Sequence, residues 1–321
     1  MILIVGGSGF IGFHLVSRFC EINLDYINMD IRVPKYPHSE TKFVRGSIEN
    51  QTLLESIFSL HKISTVVNLS ANTNLTSRNY NEFTANTVGV NSLVRIMERF
   101  AKEVPLIHFS TQHVIAPGYT HAVEWSDQPY LGLYGFTKRV GEEIVKLSAL
   151  DNWTILRPAL VWGSHNEILL NGLLKPIIRR KYVHPSEDSV VRGYTYVGTL
   201  INCIEQIFND TIGTFRKNVY YVADGNFRQS EWIENLNRSL TRKSLPRFPR
   251  AAFWVGSFVG EVGKRVSIEI PINRARYRNL TTSNPVPLVN TFKDFDMNPK
   301  DSLFGFKDMC EWAVNETGFE S

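Results

Sequence analysis

Tyr134 and Lys138 lie four residues apart, a spacing that places a phenol and an ammonium on one face of a helix. A neighbouring cation stabilises a phenolate and lowers the tyrosine pKa, so the phenol can exchange a proton with an alcohol or a carbonyl. Pairs with this spacing also occur by chance on solvated helix faces. The interpretation therefore depends on the elements around the pair.

Ser110 and Thr111 follow the apolar run Leu106–Phe109, which we predict to be a strand. In open α/β sheets, ligands bind at the carboxyl ends of the strands. The Thr111 hydroxyl is therefore expected to hydrogen-bond the same substrate oxygen as Tyr134. The alternative is an ordinary hydroxyl at a strand end that caps a turn.

The glycines of the segment Gly6-Gly7-Ser8-Gly9-Phe10-Ile11-Gly12 separate the apolar run Ile2–Val5 from an amphipathic pattern. Gly6 permits a tight turn, Gly9 lets backbone N–H groups approach a pyrophosphate, and Gly12 permits close helix packing. The helix N-terminus that follows favours phosphate. The segment predicts a dinucleotide site, unless the turn serves packing alone.

Asp30 lies about 20 residues after the glycines, at the end of a second predicted strand, where a carboxylate accepts hydrogen bonds from ribose hydroxyls. Its charge would repel a 2′-phosphate, which favours NAD over NADP. Arg32 leaves NADP open, because an arginine there could pair with that phosphate.

Short apolar runs alternate with helix-length amphipathic segments through the first half of the chain, and the longest helical pattern covers 80–102. Uniformly apolar strands in β-α-β order predict a parallel, doubly wound, Rossmann-type sheet covered on both faces. We assign 1–163 to this NAD-binding domain, with 193–225 returning to the sheet. The segments 164–192 and 226–321 are expected to form a smaller, discontinuous substrate lobe.

Composition narrows the class further. The 321 residues carry 35 basic and 31 acidic side chains, a net charge of +4 that is too small to indicate a nucleic-acid protein. Three scattered cysteines form no ligand cluster, so we expect buried thiols in a reducing, cytoplasmic setting and no metal. No signal peptide or membrane span is predicted.

The order of these motifs resembles the extended short-chain dehydrogenase/reductases, and more narrowly the NAD-dependent sugar-nucleotide epimerase/dehydratase branch. Asn68-Leu69-Ser70-Ala71, Asn86 with Gly89, and Arg157-Pro158 contribute to the likeness. The resemblance implies that Thr111, Tyr134 and Lys138 are catalytic, and it implies a homodimer. It also implies a set of cofactor-binding residues: Gly6, Gly9, Phe10, Ile11, Gly12, Asp30, Arg32, Ile48, Leu69, Ser70, Ala71, Asn86, Tyr134 and Lys138.

Two departures from the family pattern matter. Ser47 replaces an aspartate that reaches the adenine amine in relatives, which leaves the Ile48 backbone for that contact. Gln112 and His113 stand where dehydratases carry an Asp-Glu pair directly after the catalytic threonine. Gln112 cannot exchange a proton and His113 offers a single titrating group, so dehydration is disfavoured.

Two arginines are the candidate substrate contacts in the second lobe. Arg192 opens a segment, Arg192 to Val197, that resembles the family's diphosphate-binding stretch, although a salt bridge between lobes would explain it too. Arg276 lies in a basic cluster with Arg274 and Arg278, which would suit a phosphate but is also typical of a solvated strand or loop. Residues 251–260 are expected to form a substrate lid or dimer-packing helix, with a membrane-surface helix as the alternative.

The leading hypothesis is an NAD(H)-dependent 4-epimerase or 4-ketosugar reductase of a nucleotide sugar, with a place in polysaccharide biosynthesis. One alternative is reduction of a steroid- or flavonoid-like ketone, which carries no diphosphate for Arg192. A second is an NAD-sensing binding protein without turnover.

We expect Asp30→Ala to weaken NAD binding and relax discrimination against NADP, because the carboxylate that holds the ribose is lost. Isothermal calorimetry with both nucleotides measures this. Unmodified protein that binds NADP at least about tenfold tighter than NAD would contradict the assignment and make Arg32 the deciding residue.

Overall fold

The computed structural model describes residues 1–35, 42–124, 127–186, 189–254 and 274–318, and it leaves out the side chains of 274–276 and 299–301. Seven parallel strands form the central sheet, in the order β10-β6-β5-β4-β1-β2-β3. Their bounds are β1 Ile2–Val5, β2 Tyr26–Asp30, β3 Phe43–Arg45, β4 Thr65–Asn68, β5 Leu106–Phe109, β6 Trp153–Pro158 and β10 Asn218–Val222. This topology confirms the predicted doubly wound, Rossmann-type fold.

Helices cover both faces of the sheet. One face is packed by α1 Phe10–Glu21 and α7 Val197–Phe208, and the other by α2 Gln51–Leu60, α3 Val88–Phe100 and α4 Gly132–Lys146. Because strand side chains alternate between the faces, β1 supplies Leu3 and Val5 to one core and Ile2 and Ile4 to the other.

Two local features differ from the sequence-based expectation. The three-residue edge strand β3 was not predicted, since it is only partly buried and lacks a continuous apolar run. The helical pattern over 80–102 is two elements, a 3₁₀ helix Tyr80–Asn86 and then α3. They meet at Thr87, whose φ of −126° and ψ of −75° leave the helical region.

The second lobe has its own core, built around Trp162, Tyr194 and Trp232. A small sheet in the order β11-β9-β7 combines β7 Leu160–Trp162, β9 Val191–Tyr196 and β11 Gly225–Arg228, while β8 His184–Pro185 pairs with β12 Arg247–Phe248. Further helices are α5 Glu167–Leu169, a π-helical turn Leu170–Leu174, α6 Lys175–Ile178, α8 Gln229–Thr241, α9 Arg274–Thr281, α10 Val289–Asp294 and α11 Pro299–Thr317. Of these, α10 packs against β10 of the central sheet.

Within the segment expected to return to the sheet, only β10 joins the seven-stranded sheet, next to β6, whereas β9 lies in the small sheet. The expectation of three buried thiols holds for Cys203 and Cys310, but Cys20 is exposed. No helix in the described ranges is long and apolar enough to cross a bilayer. Nor does that part of the chain bring together three His, Cys, Asp or Glu side chains that could hold a metal ion.

The glycine turn after β1 depends on missing side chains at two positions. Gly6 has a φ of +87°, a conformation that L side chains rarely adopt. A Cβ on Gly12 would lie 2.4 Å from the Cα of Gly7. The missing side chain at Gly12 therefore lets α1 approach the glycine turn. The sequence argument had instead expected it to allow close packing of the helix on the sheet.

We expect Gly12→Ala to destabilise the fold by about 1–3 kcal/mol, because the added methyl overlaps backbone that cannot move away cheaply. Gly172→Ala is the matched control, since a Cβ there meets nothing within 4 Å. The control is expected to be neutral or slightly stabilising, as alanine is favoured over glycine within helices. Urea denaturation compares the two variants, and equal losses at both positions would contradict the packing argument.

Candidate functional site

One cleft of about 1410 Å³ runs along the carboxyl edge of the sheet, from the glycine turn to the second lobe. It brings together most of the side chains singled out by sequence. These are Gly6, Gly9, Phe10, Ile11, Gly12, Asp30, Arg32, Ile48, Leu69, Ser70, Ala71, Thr111, Tyr134, Lys138 and Arg192.

Two predicted residues are placed differently. Asn86 is fully buried and is not part of the cleft lining. Asn86 Oδ1 accepts the N–H of Asn72, and Asn86 Nδ2 donates to the carbonyl of Asn72 and to Thr137 Oγ1, the latter at 3.1 Å. Asn86 therefore joins the loop after β4 to helix α4. Arg276 belongs to α9, and its side chain lies outside the described part of the chain.

The glycine-turn end of the cleft fits a dinucleotide. No side chain caps the N-terminus of α1 at Gly9, so the first-turn N–H groups are available to a phosphate. Asp30 is 6% exposed and accepts N–H bonds from Ser8 and Arg32, both at 2.9 Å. Each carboxylate oxygen keeps a second lone pair for a ribose hydroxyl.

Tyr134 is buried beside Thr111 at the middle of the cleft. Burial raises the pKa of the phenol to about 12, and a hydrogen bond with the Thr111 side chain acts in the opposite direction. The Thr111 oxygen also accepts the backbone N–H of His113 at 3.2 Å. The Tyr134 phenol is therefore protonated at neutral pH, whereas the sequence argument predicted that Lys138 would lower its pKa.

Lys138 explains that difference. Its Nζ donates to the Phe109 carbonyl at 2.5 Å, and burial lowers its pKa to about 8. The ammonium is directed to the end of β5, and the carboxylate of Glu142, one further turn along α4, raises its pKa in opposition to burial. Lys138 therefore lines the cleft, but burial and Thr111 set the pKa of the Tyr134 phenol.

Gln112 and His113 follow Thr111, at the positions where the sequence argument placed the Asp-Glu pair of a dehydratase. Gln112 Oε1 accepts a 2.9 Å hydrogen bond from Asn284 Nδ2, so its amide is already engaged. The His113 ring lies edge-on to Tyr134, with centroids 6.3 Å apart. Burial, reinforced by Arg192 and His121, lowers the pKa of His113 to about 4, which leaves the ring neutral and weakly basic at neutral pH.

Arg192 lines the cleft from the second lobe and is 7% exposed. Its Nη2 donates to the Asn279 and Thr282 carbonyls, at 2.5 and 3.1 Å, while its buried Nε has no partner. No carboxylate within the described ranges pairs with it, which argues against a salt bridge between lobes. A buried cation without a counterion is suited to an anionic ligand.

Sequence reasoning missed the side chains that surround Arg192. Tyr182, Tyr194, Gln229 and Trp232 also line this arm of the cleft, and Tyr194 stacks on Trp232 with centroids 4.4 Å apart. The buried Gln229 Oε1 has no hydrogen-bond partner and can accept one from a ligand. Of these four, only Tyr194 lies in a segment that the sequence singled out, because a glutamine and scattered aromatics carry no motif.

The comparisons with known proteins agree with a cleft that fits a dinucleotide. Residues 2–212 match the model of the NAD dependent epimerase/dehydratase family. A Methanocaldococcus jannaschii protein, provisionally named a UDP-glucose 4-epimerase, is 27% identical over 220 residues, which cover 62% of this chain and 70% of that protein. A sterol-4-alpha-carboxylate 3-dehydrogenase of Saccharomyces cerevisiae is 24% identical over 192 residues, or 54% of each chain.

Among solved structures, a UDP-glucose 4-epimerase of Thermotoga maritima with UDP-glucose covers 99% of both chains with a TM-score of 0.74. At 20% identity this likeness establishes the shared fold.

We expect stability to fall as the pH drops from about 6.5 to 4, partly because of His113. Above pH 6.5 the ring is neutral in both states; below it the unfolded chain binds a proton that the folded protein takes up only near pH 4. His113→Asn should reduce this loss by at most about 1.4 kcal/mol per pH unit. Urea denaturation at pH 7.5, 6 and 5 measures it, and parallel stability curves for the two proteins would contradict the shifted pKa.

Proposed function

The chain belongs to the NAD-dependent epimerase/dehydratase family, which identifies NAD as its cofactor, and on that premise we propose an activity. The proposed reaction is NAD(H)-dependent oxidoreduction at C4 of a nucleotide-linked sugar, as a 4-epimerase or a 4-ketosugar reductase. One observation carries the proposal. Thr111, Tyr134 and Lys138 share a single cleft with the buried Arg192, which has no carboxylate partner in the described residues.

In the proposed reaction the cofactor transfers the hydride, and Tyr134 with Thr111 transfers the proton. When bound, the cofactor would accept a hydride from the sugar carbon as NAD⁺ or supply one as NADH. Tyr134, protonated at neutral pH, donates its proton to a ketone oxygen, and Thr111 hydrogen-bonds the phenol and stabilises the phenolate that results. Oxidation of an alcohol is the reverse step, and it needs Tyr134 in the phenolate form to accept the hydroxyl proton.

Arg192 gives the proposal its substrate class. A diphosphate offers oxygen atoms to the guanidinium, whose Nε lacks a partner, and neutralises a charge that burial otherwise disfavours. A neutral sterol carries no anion for Arg192, whereas a sterol carboxylate carries a single carboxylate and no diphosphate. Relatives named as UDP-glucose 4-epimerases support the nucleotide sugar, although the relative named as a sterol dehydrogenase makes the alternative worth testing.

The same geometry argues against dehydration. A 4,6-dehydratase must remove a proton at C5 and protonate the leaving hydroxide at C6, which needs a base and an acid. The Gln112 amide does neither, and the lowered pKa of His113 makes that ring a weak base.

The deciding experiment incubates the protein with NAD and UDP-glucose, UDP-N-acetylglucosamine, GDP-mannose or dTDP-glucose, followed by chromatography and mass spectrometry. A 4-epimer of unchanged mass identifies an epimerase. NADH-dependent reduction of an added 4-ketosugar identifies a reductase. A product lighter by one water would refute the proposal, as would turnover confined to a hydroxysterol.

We expect Tyr134→Phe to lower kcat by roughly 10² or more while NAD binding is retained, since only the proton-transfer group is removed. Tyr130→Phe is the matched control, because Tyr130 is 44% exposed and contacts Phe136 and Arg139 outside the cleft lining. Initial rates and NAD calorimetry are measured on all three proteins. Unchanged turnover in Tyr134→Phe would remove Tyr134 from the catalytic group.

A further inference from the structure

A chain of buried side chains begins and ends on the two residues that flank Thr111. It starts at Gln112 and returns to the same turn at Ser110, so both neighbours of Thr111 are held from behind. Its members in order are Gln112, Asn284, His121, Tyr221, Arg157, Glu142 and Ser110.

The Gln112 end depends on one asparagine. Asn284 is 1% exposed, and its Nδ2 donates to Gln112 Oε1 at 2.9 Å. Its Oδ1 lies 2.7 Å from His121 Nε2, and the other ring nitrogen of His121 lies 3.4 Å from the Tyr221 hydroxyl. The Asn284 amide thus connects residue 284 to Gln112 and His121, which precede it by 172 and 163 residues.

The Ser110 end depends on a buried ion pair. Arg157 donates to both carboxylate oxygens of Glu142, at 2.9 and 2.7 Å, and both side chains are fully buried. The Ser110 hydroxyl donates to the same carboxylate, and Arg157 Nη1 donates to the Tyr221 hydroxyl at 3.2 Å. Buried charges that pair in this way resist displacement, because separating them leaves each charge unsatisfied.

The backbone of Asn284 pairs with the strand that carries Arg192. Its N–H donates to the Val191 carbonyl at 2.8 Å, and its carbonyl accepts from the N–H of Gly193 at 3.3 Å. The carbonyls that hold the Arg192 guanidinium, those of Asn279 and Thr282, immediately precede it. One residue therefore fixes the anion-binding strand with its main chain and the Thr111 turn with its side chain.

We propose that Asn284 is a positioning residue that keeps the Thr111 hydroxyl in register with Arg192. The proposal rests on the proposed function, in which Arg192 holds the diphosphate and Thr111 contacts the reacting oxygen. Without the Asn284 amide, the turn that carries Thr111 is no longer connected to β9. A substrate bound at Arg192 then no longer places its ring carbon at the right distance from the Thr111 hydroxyl. Misplacement by about 1 Å is enough to cost 10²-fold in rate.

The test is hydrogen exchange by mass spectrometry on the NAD-loaded protein, with and without UDP, in wild type and Asn284→Leu. Without UDP, the amides of 110–115 should exchange roughly tenfold faster in the variant, since the turn opens more often. With UDP, wild type should gain protection at both 189–196 and 110–115, whereas the variant gains it at 189–196 alone.

Two further variants separate positioning from general loosening. Asn226→Ala is the matched control, because Asn226 bonds both backbone groups of Val286, in the same segment, without contacting the turn. It should exchange like wild type at 110–115. Gln112→Met breaks the same hydrogen bond from the other side, so it should reproduce the faster exchange even if Asn284→Leu fails to fold.

Kinetics supply a readout that a purely structural role would not change. In Asn284→Leu we expect kcat to fall roughly 10² with KM changed little, and the alkaline limb of the pH–rate profile to move upward as Thr111 is displaced from Tyr134. Wild-type exchange at 110–115 in both Asn284→Leu and Gln112→Met would overturn the proposal. If UDP protects no segment of wild type and no sugar turns over, the proposed function fails, while the exchange measured without UDP still decides the role of Asn284.

Discussion

The candidate site depends on a polar stripe along helix α4 that is buried where such a helix would ordinarily present apolar side chains. Tyr134, Lys138 and Glu142 follow one another at intervals of four residues, and all three are buried. Each needs a partner, because an unpaired polar group in the interior is costly. Tyr134 has Thr111, Lys138 has the Phe109 carbonyl, and Glu142 has Ser110 with Arg157. These contacts fix α4 against the ends of β5 and β6.

Burial also sets the protonation of this stripe. Removal from water disfavours the charged form of every group, so the phenol pKa rises while the ammonium pKa falls. These opposite shifts move the pKa values of Tyr134 and Lys138 apart, and they favour the neutral phenol. Proton transfer between the Tyr134 phenol and a substrate oxygen therefore depends on the side chains that exclude water from the cleft. Some of these side chains, such as Arg192 and Trp232, belong to the second lobe.

Sequence was informative wherever the signal is local and repeated. Apolar strands, the glycine turn and the Tyr134–Lys138 spacing depend on neighbours within a few residues, and they predicted the sheet and residues that lie together in the cleft. The short strand β3 and the small sheet of the second lobe have no such periodicity. The burial of Asn86 behind the cleft follows from tertiary contacts with Asn72 and Thr137, which no spacing encodes. The raised pKa of Tyr134 has the same origin.

The Gln112–Asn284 hydrogen bond spans 172 residues of chain, which has a consequence for how the protein is made. Strands β1 to β6, with the glycine turn, Thr111 and Tyr134, are all complete by residue 158. Synthesis proceeds from the N-terminus, and N-terminal parts generally fold first. The glycine-turn half of the cleft thus leaves the ribosome well before Asn284 and the carbonyls that hold Arg192. During that interval the nascent chain carries the glycine turn, Thr111 and Tyr134 but not the residue that connects the Thr111 turn to the strand of Arg192.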